Sequence, residues 1–460
     1  MKLREKCGVA GVFSADGKPV AQLLYASLIA LQHRGQDAAG IVLADGGLHE
    51  RKGFGLVAEA FSKKDLDSGA PVGIGHTRYP TTSTYTENDI QPSVCKNVAI
   101  ANNGHITNYE DMKGKLAGDY EFRGGVESEL MAYFLSMQLD GGKPLDAAVT
   151  GLMNALDGAY SSVGIADGKM FCFRDPHAIR PLVLGKKGGT YFVASESVAF
   201  DMSGAEYLDP VKGGELIVFE RDGPVRKQLI PEDVRHCMFE YVYFSRPDSI
   251  IDGQWVFRVR EKIGEIVARE SPVKADIVVP VPDTSRSAAM VMARELGARY
   301  EEGVIKNRYV GRTFIMPDQQ TRVEAVRMKL NPVKPVVDGK RVVLVDDSIV
   351  RGTTMREMVK MMRAAGAKEV HLRITCPPIT HPCFYGVNIP TFGELIASTR
   401  SIDEIKEYLG VDSLHYLSMG GLKEAVGRPL CTGCLDGSYP TEYAKKLAEE
   451  RRDSSGSSCG

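Results

Sequence analysis

A run of strand-forming residues that halts on two adjacent acids restricts this chain more than any other feature: Val342-Val343-Leu344-Val345-Asp346-Asp347-Ser348-Ile349-Val350-Arg351-Gly352-Thr353-Thr354. Val342 to Val345 have the unbroken apolar character of a parallel strand covered on both faces, and ligands of open α/β sheets bind just past the carboxyl ends of such strands. The pattern predicts Asp346 and Asp347 at the mouth of the sheet, able to accept hydrogen bonds from sugar hydroxyls. Ser348 to Thr354 then offer backbone N–H groups and hydroxyls, and Gly352 leaves room for close approach. A helix expected near Thr354 would point its positive end at an anion. The segment predicts a sugar-phosphate site. An acidic strand end with an ordinary helix cap is the plainer alternative, disfavoured because glycine, hydroxyls and paired acids share one turn.

With 460 residues, 43% hydrophobic and 25% charged, the chain is long enough for two or three domains. A formal net charge of −2 argues against a nucleic-acid surface or a polybasic membrane anchor, so small ligands are expected. No apolar stretch approaches the roughly 20 residues of a membrane span, and Met1 to Lys6 lack the apolar core of a signal peptide. The expected location is cytoplasmic. Nine cysteines in so large a chain need not be disulfide staples, which leaves metal binding or catalysis for some of them.

The first half alternates short strand patterns, such as Val72 to His76, Val98 to Ala101 and Tyr191 to Ala194, with helical ones at Val20 to His33, Glu127 to Gln138 and Pro144 to Leu156. Antiparallel sheets covered by helices are predicted for residues 7–232. From Val273 the order becomes strand, loop, helix, with Ala275 to Pro280 leading into Ser285 to Leu296, so a mostly parallel doubly wound sheet is predicted for 233–400. A helical segment is expected at 401–453 and a disordered tail at 454–460.

Cys7-Gly8-Val9-Ala10-Gly11-Val12 sets a thiol at the head of an apolar strand. A terminal cysteine would carry its own general base, because a free α-amine titrates near 7.7–8.0. Taken alone, Cys7 reads better as a small core residue. Three further motifs change that: Leu31-Gln32-His33-Arg34-Gly35-Gln36-Asp37-Ala38-Ala39-Gly40, then Gly75-His76-Thr77-Arg78-Tyr79-Pro80-Thr81, then Asn102-Asn103-Gly104-His105. Together they resemble the N-terminal-nucleophile glutamine amidotransferases. The resemblance implies an α+β fold of sandwiched antiparallel sheets, removal of residues 1–6 as a propeptide, and Cys7 as nucleophile. It also implies an oxyanion hole from Asn103 and Gly104, Arg78 on the substrate carboxylate and Arg34 in support. Two positions depart from the family: Glu127 stands where relatives carry the aspartate that holds the glutamine amino group, and Asn102 where they usually carry histidine.

Pro280-Val281-Pro282-Asp283-Thr284-Ser285-Arg286 also follows a strand and precedes a helix, a fitting pyrophosphate wall, although alone it reads equally as a capped turn. With 346–354 it resembles the type I phosphoribosyltransferases. That likeness implies Thr284, Asp346 and Asp347 on the magnesium side of a bound substrate, residues 348–354 on its phosphate, and a basic loop from Lys306 through Arg308, Arg312, Arg322 and Arg327 that closes over it. With Tyr241 to Ser249 and Phe173 to Pro176, nearly the whole chain resembles the glutamine phosphoribosylpyrophosphate amidotransferases. The resemblance implies glutamine and phosphoribosylpyrophosphate as substrates, purine nucleotides as feedback inhibitors and a homotetramer.

Cys431-Thr432-Gly433-Cys434 can present two thiolates to one metal, and Cys237 and Cys383 could complete four ligands. By spacing alone zinc, an iron-sulfur cluster or a redox pair all fit. The resemblance implies a [4Fe-4S] cluster, as in one branch of the family. Two other functions use parts of this pattern: an ammonia-using paralogue with weakened glutaminase, which the Glu127 change keeps open, and a non-catalytic phosphoribosylpyrophosphate sensor, which would have no use for Cys7, Asn103 and Gly104.

Overall fold

The computed structural model describes residues 7–79, 86–307, 327–389 and 391–456. The leader at 1–6, Pro80 and Thr81, the loop cations Arg308, Arg312 and Arg322, and Cys459 lie outside the described residues.

Short, apolar, glycine-rich strands build two stacked antiparallel sheets from the first half. In the seven-stranded sheet, Gly8–Ser14 runs between Val72–Arg78 and Thr190–Ala194. In the six-stranded sheet, Val98–Ile106 and Gly158–Ala166 pair along their lengths. Val9, Phe13, Ile74, Ala99, Ala101 and Val163 fill the space between the sheets. Gly11 controls how near they come, since a Cβ there would lie 2.6 Å from the Val163 side chain. Alternate strand residues face opposite ways, so each sheet has a second apolar face. Helix Ala21–Ala30 covers one, and helices Glu127–Asp140 and Leu145–Ala155 cover the other.

Valine-rich strands form a five-stranded parallel sheet in the second half. Ile277–Pro280, Arg341–Asp346 and Glu369–Ile374 make its centre, and Arg299–Tyr300 and Ser413–Tyr416 its edges. Helices Val256–Glu270 and Arg286–Glu295 touch at Gly264, where a Cβ would lie 2.3 Å from the Ala288 carbonyl oxygen. The predicted helix after the acid pair is Thr353–Ala364. The last helix, Glu442–Gly456, continues past Ser454, so the first residues of the expected disordered tail are helical. Among the described residues no helix is long and apolar enough to cross a membrane.

Arg174, on a strand of the six-stranded sheet, is fully buried. It donates to Asp252 at 2.7 Å and to the carbonyls of Ala178, Arg180 and Val211. Asp252 holds its guanidinium charged against the cost of burial. Removing one partner of such a pair strands the other in a dry environment. Asp252→Ala is expected to lower unfolding stability by about 3–5 kcal/mol, read as a lowered denaturant midpoint in equilibrium unfolding.

Candidate active site

The sheet register brings the motif residues together. Gly8 pairs with Thr77 and Val9 with His76, so Cys7, one step before Gly8, shares the inward face with Val9, His76 and Arg78. Across the gap, Asn103 continues the inward row of Ala99 and Ala101. Gly8 donates to the Thr77 hydroxyl at 3.2 Å and Val9 to the Ser195 hydroxyl at 3.0 Å, which anchors the strand directly behind the thiol. Burial raises the thiol's pKa. The His76 and Arg78 charges and the Tyr79 backbone outweigh it and bring the group down to about 6.

Asn103 is fully buried with neither amide atom hydrogen-bonded, an expensive arrangement unless a ligand completes it. Gly104 has φ +154°, and a Cβ there would lie 1.9 Å from the Ala159 carbonyl oxygen, so no other residue fits. Two adjacent donor groups on a rigid strand, facing a low-pKa thiol, can stabilise a tetrahedral oxyanion. Asp89 lies beside Arg78 and accepts from the Gly125 N–H at 2.8 Å. Glu127 opens the next helix and meets His105 at 2.6 Å, on the same rim as Gly104.

Arg34 is buried behind Cys7. Its Nε donates to the Cys7 carbonyl at 3.3 Å, while its two terminal nitrogens bind Glu196 at 2.5 Å and Glu240 at 2.8 and 3.0 Å. The guanidinium is committed to protein carboxylates, so Arg34 braces the backbone of Cys7. Glu240 also takes Arg180 Nη1 at 2.9 Å and the Ser245 hydroxyl, and Glu196 takes His33, the Ser249 hydroxyl and the Arg246 N–H.

At the other end, Asp346 and Asp347 close their strand and are nearly buried. Asp347 accepts from Ser348 Oγ at 2.6 Å and from Thr284 Oγ1 at 3.2 Å, joining the two predicted walls. Ile349 and Val350 bury their side chains, so only their backbone can meet a ligand. Arg351 pairs with Glu394. Gly352 has φ +75°, immediately before Thr353 and Thr354 in the first turn of the helix, and that first turn carries no acid to compete for an anion. Lys306 reaches Asp283 at 2.8 Å, beside Thr284. Thr284 with the adjoining carboxylates suits a hard cation that completes its shell with substrate oxygens.

Cys237 and Cys431 are register partners in a short parallel pair, and Cys434 follows in the next turn. Electrostatic influence on Cys434 comes from Cys383, Cys431, Cys237 and, last, Cys376, so the four predicted thiols share one neighbourhood with Cys376 at its margin. None is in a disulfide. Burial pushes the Cys237 thiol up to about 11 and those of Cys431 and Cys434 well above the usual range. Among the described residues, no three His, Cys, Asp or Glu side chains converge closely enough to hold a single ion. Cys95 and Cys172 are buried free thiols elsewhere in the chain, and Cys376 is a buried free thiol that Cys434 feels.

Residues 76–202 match the family model of the glutamine amidotransferase domain and residues 249–382 that of the phosphoribosyl transferase domain. An amidophosphoribosyltransferase of Methanothermobacter thermautotrophicus is 46% identical over 97% of this chain and 97% of its own length. The chain belongs to the amidophosphoribosyltransferase family. A Bacillus subtilis member is 43% identical over 96% of this chain and 95% of its own. The structure of the glutamine phosphoribosylpyrophosphate amidotransferase from B. subtilis complexed with ADP and GMP superposes with a TM-score of 0.88, 43% identity, and coverage of 95% and 98%. The expected fold class therefore holds: an N-terminal-nucleophile α+β domain precedes a type I phosphoribosyltransferase α/β domain.

Against this family, Asn102 has a simple location. It faces the helices, where its Oδ1 accepts from Ser162, whose hydroxyl also neighbours Met131, and so it lies on the opposite side of the strand from Cys7. Glu127 keeps a carboxylate on the rim beside Gly104. Sequence reasoning assigned no role to His76, Glu196, Glu240 or Arg180. Glu240 had left a sign, a single acid inside Met238 to Phe244, since a lone charge in an apolar run is buried and paired.

Gly104→Ala is expected to abolish glutamine hydrolysis because the added methyl cannot coexist with Ala159, a loss seen in a glutaminase assay. Alkylation of Cys7 by iodoacetamide is expected to persist at pH 7 and to fall as pH drops through about 6, because the lowered pKa keeps the thiolate until then. Mass spectrometry of the labelled peptide reads it directly.

Proposed function

We propose that this chain hydrolyses glutamine at Cys7 and delivers the ammonia to C1 of phosphoribosylpyrophosphate, giving 5-phosphoribosylamine, pyrophosphate and glutamate, the committing step of purine synthesis. The observation that carries the reading is one chain holding both a low-pKa thiol opposite Asn103 and Gly104 and a paired-acid phosphate loop. The Cys7 thiolate attacks the carboxamide carbon. Asn103 and the Gly104 N–H hold the oxyanion, and its collapse to a thioester expels ammonia. Arg78 takes the substrate carboxylate and Glu127 its amino group. Water then releases glutamate. The α-amine of Cys7, freed by removal of residues 1–6, carries the protons, and the expected boundary near residue 232 separates the two modules.

Ammonia in water at neutral pH is mostly protonated, which favours a shielded passage between the sites. In the second site, Asp346 and Asp347 hold the ribose hydroxyls. Residues 348–354 cradle the 5-phosphate, and Lys306 with the 280–286 loop faces pyrophosphate. Magnesium, held with Thr284, Asp346 and Asp347, would neutralise charge on the leaving pyrophosphate.

For Cys237, Cys383, Cys431 and Cys434 the reading is a [4Fe-4S] cluster of architectural role. Four thiols in one neighbourhood, none in a disulfide, support the reading. Feedback by purine nucleotides is supported by the B. subtilis relative, whose structure is complexed with ADP and GMP. A cytoplasmic homotetramer completes the proposal.

Cys7→Ala is expected to abolish synthesis from glutamine and leave synthesis from ammonium at the wild-type rate. Asp347→Asn is expected to raise KM for phosphoribosylpyrophosphate with either nitrogen donor. Equal glutamine-dependent rates for Cys7→Ala and the parent enzyme would overturn the assignment.

A further inference from the structure

Among the buried ionisable side chains of the glutaminase end, His76 is one to which neither the motifs nor the relatives give a task. His76 sits in strand Val72–Arg78, fully buried, opposite Val9 and diagonal to Cys7 on the inward face. Neither ring nitrogen has an oxygen or nitrogen partner, and the side-chain interaction the ring does make is with the Cys7 thiol, whereas the groups around it are anchored: Thr77 accepts from Gly8, Ser195 from Val9, and Arg34 is held by two carboxylates. A histidine kept only for packing is ordinarily satisfied by a carbonyl or a hydroxyl. The polar groups that share its face include the Cys7 thiol, Arg78 and, across the gap, the equally unsatisfied Asn103, with the Gln91 carbonyl over Gly40 on the neighbouring strand. Asn102 faces the helices and contributes nothing here.

We propose that His76 is a positioning residue for glutamine hydrolysis: its imidazole N–H donates to the Cys7 sulfur and aims it at a carboxamide whose oxygen lies against Asn103 and Gly104. The inference rests on Cys7 being the nucleophile. It needs no new covalent bond and no proton from the imidazole, because the sulfur's proton goes to the freed α-amine. Lowering of the thiol pKa by the same imidazole agrees with this placement. The ionisable groups facing Cys7 are His76 and Arg78 on their strand and Arg34 beneath. Asp89 stands behind Arg78, and Glu196 and Glu240 stand behind Arg34.

The test uses trimmed, full-length enzyme with His76→Phe and His76→Gln, measuring glutamine-dependent synthesis, ammonium-dependent synthesis and the pH profile of Cys7 alkylation by iodoacetamide. His76→Phe is expected to lower glutamine-dependent kcat about 100-fold, the scale of losing one fixed donor, with ammonium-dependent synthesis unchanged. The alkylation midpoint should rise by about one pH unit or more toward the ordinary thiol value. His76→Gln keeps an N–H donor without the imidazole, so it should recover part of kcat while its midpoint stays raised. Parental kcat and midpoint in His76→Phe would overturn the proposal, as would equal losses in both variants with an unmoved midpoint, the mark of packing alone. If His76→Phe also loses ammonium-dependent synthesis, His76→Gln carries the decision on the same readouts. Cys7→Ala separates the two claims: an inactive Cys7→Ala beside a normal His76→Phe removes only this inference.

Discussion

Glu240 is one carboxylate shared by two arginines that belong to different tasks. Arg34 reaches forward from it to the carbonyl of Cys7, and Arg180 reaches the other way to the Tyr385 carbonyl at 3.2 Å, with its Nη1 3.7 Å from Cys237 Sγ. All three side chains are buried, so none can exchange its partner for water. Desolvation would neutralise each group separately; together the arginines hold Glu240 below the usual carboxylate range, and the acids keep Arg34 charged. The backbone of Cys7 is therefore fixed by a charge pattern assembled from residues 34, 180, 196 and 240. Asn103 and Gly104, by contrast, are set by strand pairing alone.

The two chemistries are held by different physical means. In the glutaminase half, antiparallel register decides which side chains meet, and glycine at 104 settles where the backbone lies. In the phosphoribosyl half, a parallel sheet ends in acids, and a loop with Gly352 in the left-handed region turns the chain into a helix whose first N–H groups face outward. Neither site borrows geometry from the other, yet they share one chain and one buried junction at Arg174, Asp252, Arg180 and Glu240.

Both modules could be read from the amino acids because their signals are local. Val342 to Thr354 writes strand, acids, loop and helix in consecutive residues, and the register that gathers Cys7, Arg78 and Asn103 follows once three short motifs are seen together. His76 lay inside one of those motifs but says nothing until Val9 is known to stand opposite. Glu240 was harder still, because its partners lie 60 and 206 residues away in sequence. The last helix outran its expected end since Ser454 to Gly456 look like tail by composition, while a helix already formed upstream extends at little cost.

The shared carboxylate bears on attempts to take the enzyme apart. A fragment cut at the change of composition near residue 232 would retain Arg34, Glu196 and Arg180 but surrender Glu240, leaving two interior cations with a single counter-ion. Such a fragment, though it contained every glutaminase motif, would lack the carboxylate that seats Arg34 behind Cys7. The charge network of the first half closes only on a residue of the second.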